Sequence, residues 1–328
     1  MIIRTATPGD KPAIIELLKK SLGESLIPKS TELWNWKHEQ NPFGPSFVLL
    51  AEEENELIGV RAFMQWKWQW NNKVYNAIRA VDTATHPGHQ GKGIFKKLTL
   101  KQLEICKQQG IDFVFNTPNE QSRPGYIKMG WQQQGKLPLK IKLLCPLPMT
   151  FRIALKKKVA PSTFTAASHA AWKQVLNNLL DKQPLAINGI HTVTSNEYLT
   201  WRYTQNPLFP YQFISDNKNY LLIYRIKSHR SYQELRITDF ILYNEDQAIV
   251  QHIKQEMKKV CKVLKTDMIS ISGNPYLQFR PYFKWMGILP VKPLGPIVTL
   301  RKVNPDLDFV SLMDSHNWKY SLGDLELF

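Results

Sequence analysis

The chain has 328 residues, 43 of them Lys or Arg and 27 Asp or Glu, for a formal net charge of +16; that length holds two domains of ordinary size, each with its own core. No stretch reaches the roughly 18 uninterrupted apolar residues that span a bilayer, and the N-terminus lacks the apolar run and small-residue cleavage site of a signal peptide. Cys106, Cys145 and Cys261 are too widely spaced for a disulfide framework or zinc site and fit a reducing cytoplasm, and the dispersed basic residues accompany no nucleic-acid module, so neither nucleic acid nor membrane is an expected partner.

Met1 to Thr5 is followed by an amphipathic stretch from Asp10 to Leu22. From Met64 to Trp70 the chain alternates, so a strand here puts Trp66, Trp68 and Trp70 on one face and Gln65, Lys67 and Gln69 on the other. Such a wall could stack on a sugar ring, although core or domain interface is the commoner use. Asn71-Asn72 turns the chain back into a strand over Tyr75 to Thr85. Val81 to Phe95 then passes through a glycine-bearing turn into a second amphipathic helix, with Ile94, Leu98 and Ile105 at helical spacing and Lys92, Lys96, Lys97, Lys101 and Lys107 around them. Gly91 and Gly93 allow successive backbone N–H groups to face one concavity at a helix N-terminus, where unpaired donors and the macrodipole favour an anion such as a diphosphate. His86 and His89 read as solvated loop residues, and no metal site is expected. Ile111 to Asn116 is a short buried strand, and Pro118 to Gly130 holds a helix that stops at Gly130. A strand, a long helix and a strand form a crossover unit, so the two strands should be parallel neighbours.

Gln90-Gly91-Lys92-Gly93-Ile94-Phe95 resembles the acetyl-CoA signature of the GNAT N-acetyltransferases, Gln/Arg-x-x-Gly-x-Gly/Ala, with Phe95 in place of the last small residue. That variation is similar to the enhanced intracellular survival branch of the family, which also has tandem GNAT-like domains. Gly125-Tyr126-Ile127-Lys128-Met129-Gly130-Trp131 resembles the family's Tyr-x-Lys-x-Gly-Phe ending. The resemblance implies an α/β fold: two tandem GNAT-like domains, each a mixed, mostly antiparallel twisted sheet flanked by helices, the first with a splayed parallel strand pair. It further implies acetyl-CoA as cosubstrate, held by Gln90, Gly91, Lys92, Gly93, Ile94 and Phe95, by strand-like pairing with Thr83, Ala84 and Thr85, and by Asn119. Tyr126 is then the catalytic acid, since a phenol with a reference pKa of about 10 keeps its proton at neutral pH and can give it to a departing thiolate.

The pattern occurs twice. Residues 30–48 align without gaps on residues 195–213, with seven identities that include Trp36/Trp201 and the Gln-Asn-Pro at 40–42 and 205–207, and Lys37 faces Arg202. A second anchor aligns residues 123–130 with 280–287 and sets Arg79 on Arg236 and Asp82 on Asp239. This is an internal duplication. In the second copy Gly91 and Gly93 become Ala248 and Val250, and Tyr126 becomes Phe283, so the cradle and the acid are both lost. The expected organisation is a catalytic domain over residues 1–150, a linker over 151–168 and a degenerate GNAT-like domain over 169–328 that ends in a tail.

A general base is harder to assign, because Arg79 stands where many family members carry a glutamate. Asp82 is near in sequence, and the resemblance to the survival branch adds Asp324, Glu326 and the Phe328 carboxylate from the apolar tail 318–328. The expected activity is acetyl transfer to a primary amine of a small molecule, an amino sugar being one class. A FemAB-like aminoacyl transferase and a non-catalytic acyl-CoA-binding protein are the alternatives, and the sequence does not set the oligomeric state.

Overall fold

A computed structural model describes residues 1–24, 27–160, 167–272, 278–287, 289–290 and 295–325. The first half runs β1 (Ile2–Thr5), α1 (Lys11–Leu22), α2 (Thr31–Trp34), β2 (Phe47–Glu53), β3 (Glu56–Trp70), β4 (Lys73–Thr85), α3 (Ile94–Gln108), β5 (Phe113–Asn116) and α4 (Arg123–Lys128). Then follow β6 (Gln132–Lys136), β7 (Leu139–Leu143), α5 (Pro146–Ala154), α6 (His169–Leu179), β8 (His191–Thr192) and α7 (Asn196–Leu199). The second half repeats the plan with β9 (Gln212–Ser215), β10 (Tyr220–Ser228), β11 (Gln233–Leu242), α8 (Gln247–Val263), β12 (Met268–Ser272) and a short helix Arg280–Phe283. After β13 (Leu289–Pro290) and β14 (Ile297–Lys302), a tail carries short helices at Phe309–Met313 and Leu322–Leu325.

Local chemistry accounts for the main elements. In α1 the apolar positions Ile14, Ile15, Leu17 and Leu18 are all buried, which is the stripe a 3.6-residue period places on one face. The β3–β4 hairpin turns at Asn71 and Asn72, whose φ angles of 46° and 63° are the left-handed pair of a two-residue hairpin turn, a conformation asparagine tolerates. Both α2 and α7 begin at a serine whose hydroxyl accepts a backbone N–H, Ser30 from Leu33 and Ser195 from Tyr198, and each continues into a π-helical turn, Asn35–Glu39 and Thr200–Thr204. The duplication read from the sequence is therefore reproduced down to the irregular turn.

The two halves exchange strands. The first sheet has the order β1-β2-β3-β4-β5-β14-β6, with β8 added on β3, and the second β13-β7-β12-β11-β10-β9. Strand β14, from the end of the chain, lies antiparallel between β5 and β6, and β7 lies antiparallel between β12 and β13. A cut near residue 150 or 168 thus separates the repeats in sequence but not the two sheets, since residues 139–143 build the second and 297–302 the first. Period-2 patterning sees a strand but not its partner, so the exchange was not legible in the sequence.

Trp36 and Trp201 mark the contact between the repeats. Their rings stack at 4.9 Å, and each indole N–H donates to the other's backbone carbonyl, at 2.8 Å and 2.7 Å. Around this reciprocal pair the largest core draws on both halves and the tail, from Trp66 and Trp68 to Tyr198, Tyr203, Trp318 and Tyr320. The alternating tryptophans of β3 belong to it. Trp66 packs on Tyr198 and Trp201, and Trp68 on Trp318 and Tyr320; both are buried, so neither face is open to a sugar ring.

Candidate active site

Strands β4 and β5 pair in parallel at only three positions, Ala77–Phe113, Ile78–Val114 and Arg79–Phe115. Beyond Arg79 they part. On its other side β4 stays paired with β3 as far as Gly59–Thr85, with one irregularity between Arg61 and Ala62 that leaves Asp82 as the extra residue of a β-bulge. Residues 80–85 consequently offer a strand edge to a cleft of about 1050 Å³, lined among others by Thr83, Ala84, Thr85, Gln90, Gly91, Gly93, Ile94, Phe95, Asn119 and Tyr126. All the expected cofactor residues except Lys92 line this one cleft, and Lys92 sits in the same turn with Nζ 3.3 Å from His89 Nδ1.

At the floor of the cleft a single 3-10 turn, Pro87–His89, leads to Gly93, the N-cap of α3. Gly91 and Gly93 have φ of +79° and +73°, and a Cβ built on either would meet nothing within 4 Å. What demands glycine is the left-handed backbone, not shortage of space. The turn and the first turn of α3 together present unpaired amides, since the first N–H groups of a helix have no intrahelical acceptor; the first bond back is Lys97 N–H to Gly93 O at 3.0 Å. Phe95 does not obstruct them. Its ring turns to α4, where a Cβ on Gly125 would come within 3.1 Å of it and where it meets the Tyr126 ring edge-on at 5.5 Å. In the second copy Asp246 caps α8 directly and the helix runs unbroken from Gln247, so Ala248 and Val250 are helical and the turn with its free amides does not exist.

Tyr126 is 5% exposed and lies between Phe95 and Trp131. Its hydroxyl makes no hydrogen bond within the described residues. Asn119 lines the cleft rim, but its side-chain oxygen is engaged by Ser122, accepting from N–H and Oγ at 2.8 Å each, which closes the turn that leads into α4. Arg61, which the sequence did not single out, is buried beneath the cleft. Its guanidinium lies 5.3 Å from the Tyr126 ring centre and donates to Thr83 Oγ1. Nothing in its sequence context separates it from a surface arginine on an alternating strand.

Asp82 is not free. Its Oδ2 receives Lys37 Nζ and His38 Nε2, each at 2.8 Å, while His38 Nδ1 meets Ser46 Oγ at 2.8 Å. Burial opposes the charge, yet Lys37 and His38 hold the Asp82 carboxyl far below the usual carboxylate range; burial likewise pushes the His38 imidazole below its ordinary value. A proton would not rest on Asp82, which suits it to hydrogen bonding more than to general-base work. The alignment of Asp82 with Asp239 holds in space: Tyr203, at the position of His38, donates to Asp239 Oδ2 at 2.9 Å, whereas Arg202, aligned with Lys37, donates to Gly323 O.

Arg79 has a different task from the glutamate often found there. Its guanidinium donates to the backbone carbonyls of Asp324 and Leu325, at 2.6 Å and 2.7 Å, and to Thr117 Oγ1 at 3.1 Å. Burial first, and Arg202 second, push it down to about 9. Arg202 donates twice to Gly323 O, at 3.0 Å and 2.8 Å. The two arginines thus fasten the tail between the halves. Asp324 is buried inside this knot, accepting from Thr192 Oγ1 at 2.6 Å and from Ser321 N–H at 2.7 Å, so its side chain is not presented to the cleft lined by Tyr126. Glu326 and Phe328 lie outside the described residues.

Residues 2–134 match the family model of the acetyltransferase (GNAT) domain. The first repeat is thus similar to the GNAT acetyltransferases. Among solved structures it is similar to a protein from Enterococcus faecalis described as a probable N-acyltransferase, at 14% identity and TM-score 0.63 over 92% of this chain and 72% of that one. A GCN5-related N-acetyltransferase from Anabaena variabilis follows at 12% identity and TM-score 0.59, over 92% and 73%. Eis1 from Mycobacterium abscessus aligns at 12% identity and TM-score 0.56, over 95% and 76%. These likenesses carry the tandem GNAT fold across both halves. No curated protein sequence matches the chain.

Proposed function

We propose that the first half is an acetyl-CoA-dependent N-acetyltransferase that acts on a primary amine of a small molecule, with amino sugars the first class to test. The observation that carries this reading is the junction of a strand edge released at Arg79, a glycine turn with unpaired amides, and a tyrosine hydroxyl with no internal partner, all on one cleft. The fit to a diphosphate rests on the open space at Gly91 and Gly93 and on the free amides of the turn. Bound acetyl-CoA would supply the thioester whose acetyl group passes to the amine.

The chain's own groups have separable roles. Residues 83–85 pair with the extended arm in the manner of an added strand, and the amides of residues 91–96 hold the anionic end. Tyr126 donates its proton toward the departing sulfur, which makes the thiolate a better leaving group. Phe95 and Trp131 hold the Tyr126 ring from either side. The second half takes no cofactor; its continuous α8 leaves no cradle, and its contribution is to bind the tail and to complete the first sheet. Incubating the protein with acetyl-CoA and a panel of amines, while following free thiol, tests the reading. Thiol release that depends on an amine supports it. CoA binding without amine-dependent thiol release would leave a CoA-binding protein, and salt-sensitive tRNA binding without CoA binding would favour aminoacyl transfer.

A further inference from the structure

Helix α5 and the lysines after it form a surface that neither the cleft nor the strand exchange uses. Leu147, Phe151 and Leu155 recur every four residues along one face and are 81%, 61% and 50% exposed. The opposite face is anchored: Met149 is buried, and Arg152 pairs with the Asp267 carboxylate and donates to Ser231 O at 3.0 Å. The helix therefore cannot roll to hide its apolar stripe. Cys145 N–H donates to Asp267 O at 3.3 Å, which ties the turn after α8 to the same end of the second sheet. The last turn of α8 and the turn after it add Val263, 76% exposed, and the exposed Lys262 and Lys265. Directly after α5 come Lys156, Lys157 and Lys158, all exposed, with Lys157 Nζ 5.8 Å from the centre of the Phe151 ring. The acid in this neighbourhood, Asp267, is buried and already paired.

We propose that this end of the molecule docks on the surface of an anionic lipid bilayer, with Leu147, Phe151 and Leu155 entering the headgroup–acyl boundary and the lysines facing the headgroups. An anchored amphipathic helix with aromatic and leucine side chains on one face and cations beside them has the chemistry of an interfacial binder. Charge selects this occupant over a second copy of the chain: a copy docking through the same face would bring the same cations and, with Asp267 buried, no complementary acid. An RNA partner would find no use for exposed leucines.

Sedimentation of the intact protein with vesicles of phosphatidylcholine, alone or containing phosphatidylglycerol, tests the proposal. Binding is expected to the anionic vesicles and not to the neutral ones, and to weaken as salt is raised. The exposed positions permit two variants that leave the core alone. Leu147→Glu/Phe151→Glu should abolish binding, and Lys156→Gln/Lys157→Gln/Lys158→Gln should lower it by at least about tenfold, since each lysine near such a surface is worth roughly a factor of five. Absence of vesicle binding, equal binding to both compositions, or binding that survives both variants would overturn the proposal. So would concentration-dependent self-association that the Glu variant removes while vesicles bind nothing, which would assign the face to a second copy.

Discussion

Replacing Gly93 by leucine separates the two things a glycine can do in this turn. Its φ of +73° costs an L-residue about 1–2 kcal/mol in the left-handed region, and no atom lies within 4 Å of the Cβ that would be added. The fold should therefore survive with a modest loss of stability. Gly110, at the far end of α3, supplies a matched control, since its φ is +70° and the space around its Cβ is equally open. Gly110→Leu should lose the same 1–2 kcal/mol. The two variants should diverge in CoA binding. The Gly93 side chain would project into the space assigned to the diphosphate and tilt the amides beside it. A hydrogen bond to a charged acceptor is worth about 1.5–3 kcal/mol, so losing two weakens binding by more than about a hundredfold. Isothermal titration calorimetry of both variants with CoA, beside thermal melts, measures both quantities. Comparable CoA affinity in the two variants, at comparable melting temperatures, would refute the assignment of the turn.

Three further outcomes are expected. Tyr126→Phe should lower kcat by about 10²–10⁴-fold and leave the dissociation constant for CoA nearly unchanged; equal loss of both would make Tyr126 a packing residue. Trp36→Ala removes a fully buried indole together with its half of the reciprocal bond to Trp201, and should cost about 3–5 kcal/mol, read by chemical denaturation as one transition that involves both halves. Burial, and then the nearby Asp324 charge, raise Asp239 to about 7. Its folded pKa is above its unfolded value, so this contribution to stability is complete at acid pH, declines as pH rises from the ordinary carboxyl range to about 7, and is gone above that. Asp239→Asn should flatten that part of the stability–pH curve, and an unchanged curve would contradict the assignment.

Much of the first half was legible because its signals are local. The turn at residues 90–95, the crossover from β4 to β5 and the Tyr126 ending each lie within a short window, and the structure brings them onto one cleft. The internal alignment also carried real geometry: Trp36 meets Trp201, and the residues aligned with His38 and Asp82 touch each other in the second half as well. What stayed hidden depends on distant partners. The exchange of β7 and β14 cannot be read from either strand's own sequence, and Arg79 gave no hint that it would bind the carbonyls of Asp324 and Leu325, some 245 residues away. Asp82 could be seen near the site, but the Lys37 and His38 contacts that change its chemistry come from a π-helical turn that local propensity does not encode.

The loss of the cradle in the second half explains why a duplicated fold would carry one site. In the first half Gly93 ends the turn in a left-handed conformation and α3 starts at Ile94; in the second, Asp246 caps a helix that already occupies the corresponding residues. Titrating the intact chain with CoA by calorimetry, with amide hydrogen exchange on the complex, tests this most directly. The account predicts one CoA per chain, with protection confined to residues 80–96 and the Tyr126 region. Two equivalents per chain, or protection at residues 244–250 instead of the glycine turn, would contradict it.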